Sequence, residues 1–112
     1  MKIFHNPRCS KSRATLALLQ EKGQQPEIIL YLKTPPSQKE LLGIIKQLGI
    51  NPSQLLRKNE KIYKEQFKDK EITESEWIKI MVENPKLIER PIVIKNGKAV
   101  IGRPPQNVLA II

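Results

Sequence analysis

The residues able to do chemistry in this chain are concentrated near its start. Cys9 and His5, the only cysteine and the only histidine, stand four residues apart in Phe4-His5-Asn6-Pro7-Arg8-Cys9-Ser10-Lys11-Ser12-Arg13. A short apolar run before them, Lys2 to Phe4, reads as a strand. The run after them, Ala14 to Lys22, reads as an amphipathic helix with Ala14, Ala17 and Leu18 on one face and Gly23 as its stop. Cys9 therefore falls in a strand-to-helix loop, where unpaired N–H groups and the positive end of the helix dipole favour an anion. Arg8, Lys11 and Arg13 add positive charge. A thiol so placed is expected to titrate below the free value of about 8.5 and to act as a nucleophile at neutral pH. A lone cysteine is more often a small buried hydrophobe, but the polar, basic flanks argue against that here.

Other chemistries find less support. One Cys and one His fall short of the usual four ligands of a metal site, so no metal is expected. A single cysteine cannot close an internal disulfide, and Met1-Lys2-Ile3-Phe4 leads straight into the polar loop without the pattern of a signal peptide; the expected location is cytoplasmic. No apolar run approaches the roughly 20 residues that cross a bilayer, so no membrane association is expected. The net charge of +9 suits nucleic acid, an anionic small substrate or an acidic partner. Yet the lysines are scattered along the chain, and no helix-turn-helix or ribonucleoprotein motif stands out. Solvated lysines are the reading, with no nucleic-acid partner.

At 112 residues the chain is long enough for one core, and one domain is expected over 1–112. Glu27 to Tyr31 reads as a second, buried strand, making a right-handed βαβ unit with parallel strands. Ser37 and Glu40 have capping-box spacing ahead of a helix with Leu41, Leu42, Ile44, Ile45 and Leu48 on one face and Gly49 at its end. Asn51-Pro52 opens a short helical piece carrying Leu55 and Leu56, and the charged stretch 59–71 is anchored only by Ile62, Tyr63 and Phe67. Thr73 and Glu76 mark another helix start, with Trp77, Ile80 and Met81 as a core stripe ended by Asn84-Pro85. Asn96-Gly97 between two β-branched runs predicts a hairpin with a two-residue type I′ turn. A closing helix with Val108, Leu109 and Ile112 follows. Strands, hairpin and helices in this order predict a small α/β domain with a mixed sheet.

Three arginines stand at punctuated positions. Arg57 follows Leu55-Leu56, Arg90-Pro91 precedes Ile92-Val93, and Gly102-Arg103 follows Ile101. An arginine just outside a strand end lies at the rim of the sheet, where open α/β folds bind ligands, and a guanidinium fork suits a tetrahedral oxyanion. Each could equally be a solvated residue or a structural ion pair, and only a fold can bring the three together.

The segments HNPRCSKSR, YLKTPPS, LLRKNE, ERPIV and GRPP, in this order across essentially the whole chain, resemble the glutaredoxin-coupled arsenate reductase (ArsC) family, in its short chromosomal type. The resemblance implies a thioredoxin-like fold: a four-stranded mixed sheet with a helical insertion, residues 33–88, between strands two and three. It implies Cys9 as the nucleophile that attacks arsenate, with His5 and Ser12 tuning the thiolate. Arg57, Arg90 and Arg103 match the family's oxyanion-binding arginines. It implies a cis Arg90–Pro91 bond facing Cys9. Glutathione as co-substrate and glutaredoxin as its partner would return the thiol, with arsenite as product and no bound cofactor; a monomer is the default expectation. Two features of the residues agree. Serine at position 12 stands where a dithiol oxidoreductase has its second cysteine, so an external thiol must resolve any adduct. Phosphatase-like arsenate reductases need an arginine six residues after the cysteine; here Thr15 holds that place, and the nearest arginine is Arg13.

Two other readings compete with this one. Spx-like regulators that bind RNA polymerase share the fold but usually carry a Cys-x-x-Cys switch, which Cys9-Ser10-Lys11-Ser12 lacks. A monothiol glutathione-dependent reductase with another substrate would turn over disulfides with little dependence on Arg57 or Arg103.

Overall fold

The computed structural model describes residues 1–112. Four strands form one sheet: β1 (Lys2–Phe4), β2 (Glu27–Ile29), β3 (Ile92–Lys95) and β4 (Lys98–Ile101) in the order β2-β1-β3-β4. β1 pairs parallel with β2 and antiparallel with β3, and β3 pairs antiparallel with β4, so the sheet is mixed as expected. Between β1 and β2 runs helix α1 (Ser10–Glu21). Between β2 and β3 lie α2 (Gln38–Leu48), α3 (Lys61–Gln66), α4 (Glu74–Glu83) and two short 3-10 helices, Pro52–Leu55 and Pro85–Leu87. The chain divides into two compact units, one made of Met1–Thr34 with Arg90–Ile112 and the other of Pro35–Glu89.

In the sheet unit, Ile3 of β1, Val93 of β3, Leu19 of α1 and Val108 form a fully buried cluster. Adjacent strands present Ile3 and Val93 in register, so both project to the same face, where α1 covers them. The turn between β3 and β4 has Asn96 at φ 52° and Gly97 at φ 77°. Both central residues of a type I′ turn need positive φ, which asparagine and glycine tolerate best.

Four expectations change. α1 begins at Ser10, not Ala14, which makes Cys9 its N-cap residue. Its buried residues are Ser12, Thr15 and Leu19, whereas Ala14 and Ala17 are exposed and Leu18 packs at the margin of the core. Hydrophobic periodicity missed this face because two of its three members are polar and satisfied by hydrogen bonds. β2 is a short edge strand rather than a buried one, with Ile28 46% exposed; Leu30 starts a turn in which its carbonyl accepts from the N–H groups of Lys33 and Thr34. The closing helix is a 3-10 helix, Pro105–Ala110.

In the Pro35–Glu89 unit both helix starts form as the sequence predicts. The Ser37 hydroxyl accepts from Glu40 N–H, and α2 buries Leu41, Ile44 and Ile45 while Leu42 stays exposed. Thr73 caps α4 in a reciprocal box with Glu76, and Trp77, Ile78 and Met81 are buried. The uncertain charged stretch contains α3, whose Tyr63, with Phe67 at its end, stacks on Trp77 at ring-centroid distances of 6.1 and 5.9 Å. Thr73→Ala removes the acceptor for Glu76 N–H and is expected to destabilise this unit by about 1 kcal/mol, read by urea titration of Trp77 fluorescence.

Candidate active site

The loop after β1 is a frame of hydrogen bonds around Cys9. Asn6 is buried; its carbonyl accepts Cys9 N–H at 3.0 Å, and its side-chain Oδ1 accepts Arg8 N–H at 3.0 Å. Ser12, also buried, accepts Asn6 N–H through Oγ at 3.0 Å and lies 2.6 Å from His5 Nδ1. Ser12 Oγ, which accepts from Asn6 N–H, keeps a proton and a second lone pair, so it donates to Nδ1 of a neutral His5 or accepts from it according to the ring tautomer. His5 is held below the ordinary histidine range by burial and secondarily by the Arg13 charge. It is therefore neutral at pH 7. His5 and Ser12 act through their side chains on one another, and Ser12 reaches Cys9 through its backbone N–H.

Cys9 is half-buried and free. Burial, the largest influence on it, pushes the thiol up. The Ser12 N–H, a hydrogen bond from the Arg90 side chain, the Lys11 N–H and the Arg90 charge together outweigh this, and the thiol lies below its ordinary value. The thiol makes no regular capping hydrogen bond, yet the amide groups of the first turn of α1 favour its anion. The backbone amides act on the thiol as the loop-to-helix placement predicts, whereas the cation beside it is Arg90 rather than Arg8, Lys11 or Arg13. Arg13 Nη1 donates to Pro7 O at 2.8 Å and closes the loop. Alkylation of Cys9 by iodoacetamide is expected to rise with pH through a midpoint below that of the urea-unfolded protein. Arg90→Ala should move that midpoint up, because it removes a donor and a positive charge from the thiolate.

Arg103 completes this side. Its Nη1 lies 3.6 Å from Cys9 Sγ and 3.4 Å from Arg90 O. The Arg90–Pro91 bond is cis, as the resemblance implies, and Arg103–Pro104 is cis as well. Thus Cys9, His5, Ser12, Arg90 and Arg103 stand together. Arg57 belongs to the Pro35–Glu89 unit, where only 13% of its side chain is exposed. There its Nη1 donates to Glu89 at 2.8 Å and its Nε to Glu60 at 3.2 Å. Burial works against the Arg57 charge, but these two carboxylates more than offset it and hold the guanidinium charged.

Sequence reasoning missed Asn6, Thr15 and Gly102. Thr15 Oγ1 donates both to Lys11 O at 2.9 Å and to Gly102 O at 3.1 Å, while Gly102 N–H donates to Pro91 O at 2.9 Å. This latch joins the first turns of α1 to the residue before Arg103. Asn6-Pro7 could have been found as a turn signal; nothing in the one-dimensional pattern marks Thr15.

A sheet in this order with a lone cysteine at the N-cap position of the first helix defines a class: a thioredoxin-like fold with a one-cysteine site. A sequence model of the ArsC family matches residues 4–111, and the chain belongs to that family. The uncharacterized protein YfgD of Escherichia coli K12 is 54% identical over all of this chain and 96% of its own. An arsenate reductase of Haemophilus influenzae is 50% identical over 98% of this chain and 97% of its own. The structure of an arsenate reductase from Vibrio cholerae superimposes with a TM-score of 0.94 at 49% identity, covering 99% of this chain and 96% of that one.

Proposed function

We propose that this protein reduces arsenate to arsenite through Cys9, with glutathione and glutaredoxin as external reductants. The observation that carries the reading is the pairing of a lowered-pKa thiol with two guanidinium groups, Arg103 at 3.6 Å and Arg90 in hydrogen-bond contact. A thiolate and an oxyanion repel one another, so a nucleophile for arsenate needs cations beside it. The name arsenate reductase, borne by the Haemophilus and Vibrio relatives, supports the substrate.

In this reading the Cys9 thiolate bonds to arsenic(V) and a hydroxyl leaves as water after taking a proton. Glutathione thiolate then attacks Cys9 Sγ, and the electron pair of the sulfur–arsenic bond passes to arsenic, which leaves as arsenite. Glutaredoxin thiolate takes the glutathione from the resulting mixed disulfide and frees Cys9. Arg90 and Arg103 offset the charge of bound arsenate and of the attacking sulfur. Arg57, oriented by Glu60 and Glu89 within its own unit, matches by its motif the family's oxyanion-binding arginines. The test is NADPH oxidation coupled through glutathione reductase, glutathione and glutaredoxin with added arsenate. A rate that needs both arsenate and Cys9 is expected; a folded, reduced protein with no arsenate-dependent rate would sink the reading.

A further inference from the structure

The charge of this chain is unevenly placed. The unit made of Met1–Thr34 and Arg90–Ile112 holds ten Lys and Arg against two acids, Glu21 and Glu27, a net of +8. The Pro35–Glu89 unit holds ten against nine, a net of +1. Within the second unit, acids and bases pair as Arg57–Glu60, Arg57–Glu89 and Lys61–Glu65. What reads along the sequence as scattered solvated lysine is, in the fold, an excess gathered on the unit that carries the thiol.

The two acids of that unit sit away from Cys9. Glu21 ends α1, ten residues and so roughly 15 Å of helix beyond Lys11. That exceeds the screening length of about 8 Å at physiological salt. Glu27 pairs with Lys2 at the end of β1 opposite the cysteine loop. Arg8 and Lys11, by contrast, flank Cys9 on a pinned backbone. Arg8 N–H is held by Asn6 Oδ1 and the Lys11 carbonyl by Thr15 Oγ1, while both side chains are exposed. Arg13 is spent on Pro7 O, and Arg90 and Arg103 address the thiol itself.

We propose that Arg8 and Lys11 form a carboxylate-binding rim that selects an anionic thiol, of the glutathione kind, as the species that exchanges with Cys9. The proposal rests on the reading above, in which an external thiol must clear the only cysteine. Glutathione carries more carboxylates than ammonium groups, so a two-cation rim raises its local concentration and orients its sulfur toward Sγ. The step is plain exchange: a bond forms between Cys9 Sγ and one sulfur of a disulfide, the disulfide bond breaks, and the other sulfur leaves as a thiolate.

The test needs no arsenate. Second-order rate constants for Cys9 would be measured with oxidised glutathione, which is anionic, and with uncharged hydroxyethyl disulfide, at low and high salt. Their ratio cancels any change in thiolate fraction. Arg8→Gln/Lys11→Gln is expected to lower the ratio about tenfold and to flatten its salt dependence. An unchanged ratio would overturn the rim. So would an equal fall in Lys95→Gln/Lys98→Gln, which removes the same charge at the hairpin, at the far end of the sheet from the loop. A missing arsenate-dependent rate in the coupled assay would strike the arsenate reading alone and leave this ratio to be read.

Discussion

Cys9→Ser is expected to lose arsenate-dependent turnover by about 10⁵-fold or more, the scale on which removing a nucleophile acts. A serine hydroxyl is essentially un-ionised at neutral pH. The groups that lower the thiol, namely the Ser12 and Lys11 N–H and Arg90, cannot make an alkoxide of it. They remain in place, so the variant should keep its fold and still take up an oxyanion, and arsenate protection of Arg103 from phenylglyoxal would show this. Arg103→Ala is the complementary change. It removes the cation 3.6 Å from Sγ and should cost about 10²-fold while leaving the thiol present. Turnover that survives in Cys9→Ser would mean that the nucleophile lies elsewhere.

The second large effect is expected at a residue that touches no substrate. A Cβ added to Gly102 would lie 2.6 Å from Thr15 Oγ1, 2.8 Å from Thr15 Cγ2 and 3.0 Å from Pro91 Cγ. These atoms cannot all yield, because Thr15 is fully buried and its hydroxyl is bonded to both Lys11 O and Gly102 O. Gly102→Ala is therefore expected to cost about 1–3 kcal/mol in thermal or urea unfolding. It should also push Arg103 away from Cys9, lowering kcat/KM for arsenate beyond what the stability loss explains. Thr15→Ala in the same chain opens the space and should return part of both losses. Additive effects of the two substitutions would show that the close approach carries no energy.

Both predictions rest on features with different visibility in the sequence. Cys9 was legible because strand, loop and helix follow one another within a few residues, and local order of that kind survives any tertiary arrangement. The capping pairs Ser37 with Glu40 and Thr73 with Glu76, and the Asn96-Gly97 turn, were legible for the same reason: each is a contact between residues at most three apart. The buried face of α1 was not. Ser12 and Thr15 are inside because His5, Asn6 and Gly102 satisfy them, and the last of these is 87 residues away from Thr15. A polar residue looks exposed until its distant partner is known.

The edge position of β2 follows the same logic. Glu27-Ile28-Ile29-Leu30-Tyr31 has the composition of a central strand, but strand order is set by which segments pair, and β3 takes the inner place beside β1. Thus the sequence alone determined the placement of Cys9 between a strand and a helix, the hairpin and the family resemblance, all of which rest on short-range pattern. Only the fold decided that Arg90 and Arg103 meet at the thiol, that Thr15 bonds to Gly102 beside Arg103, and that the excess charge gathers on one unit. Those depend on contacts between residues up to 94 positions apart, whose energies no local periodicity records.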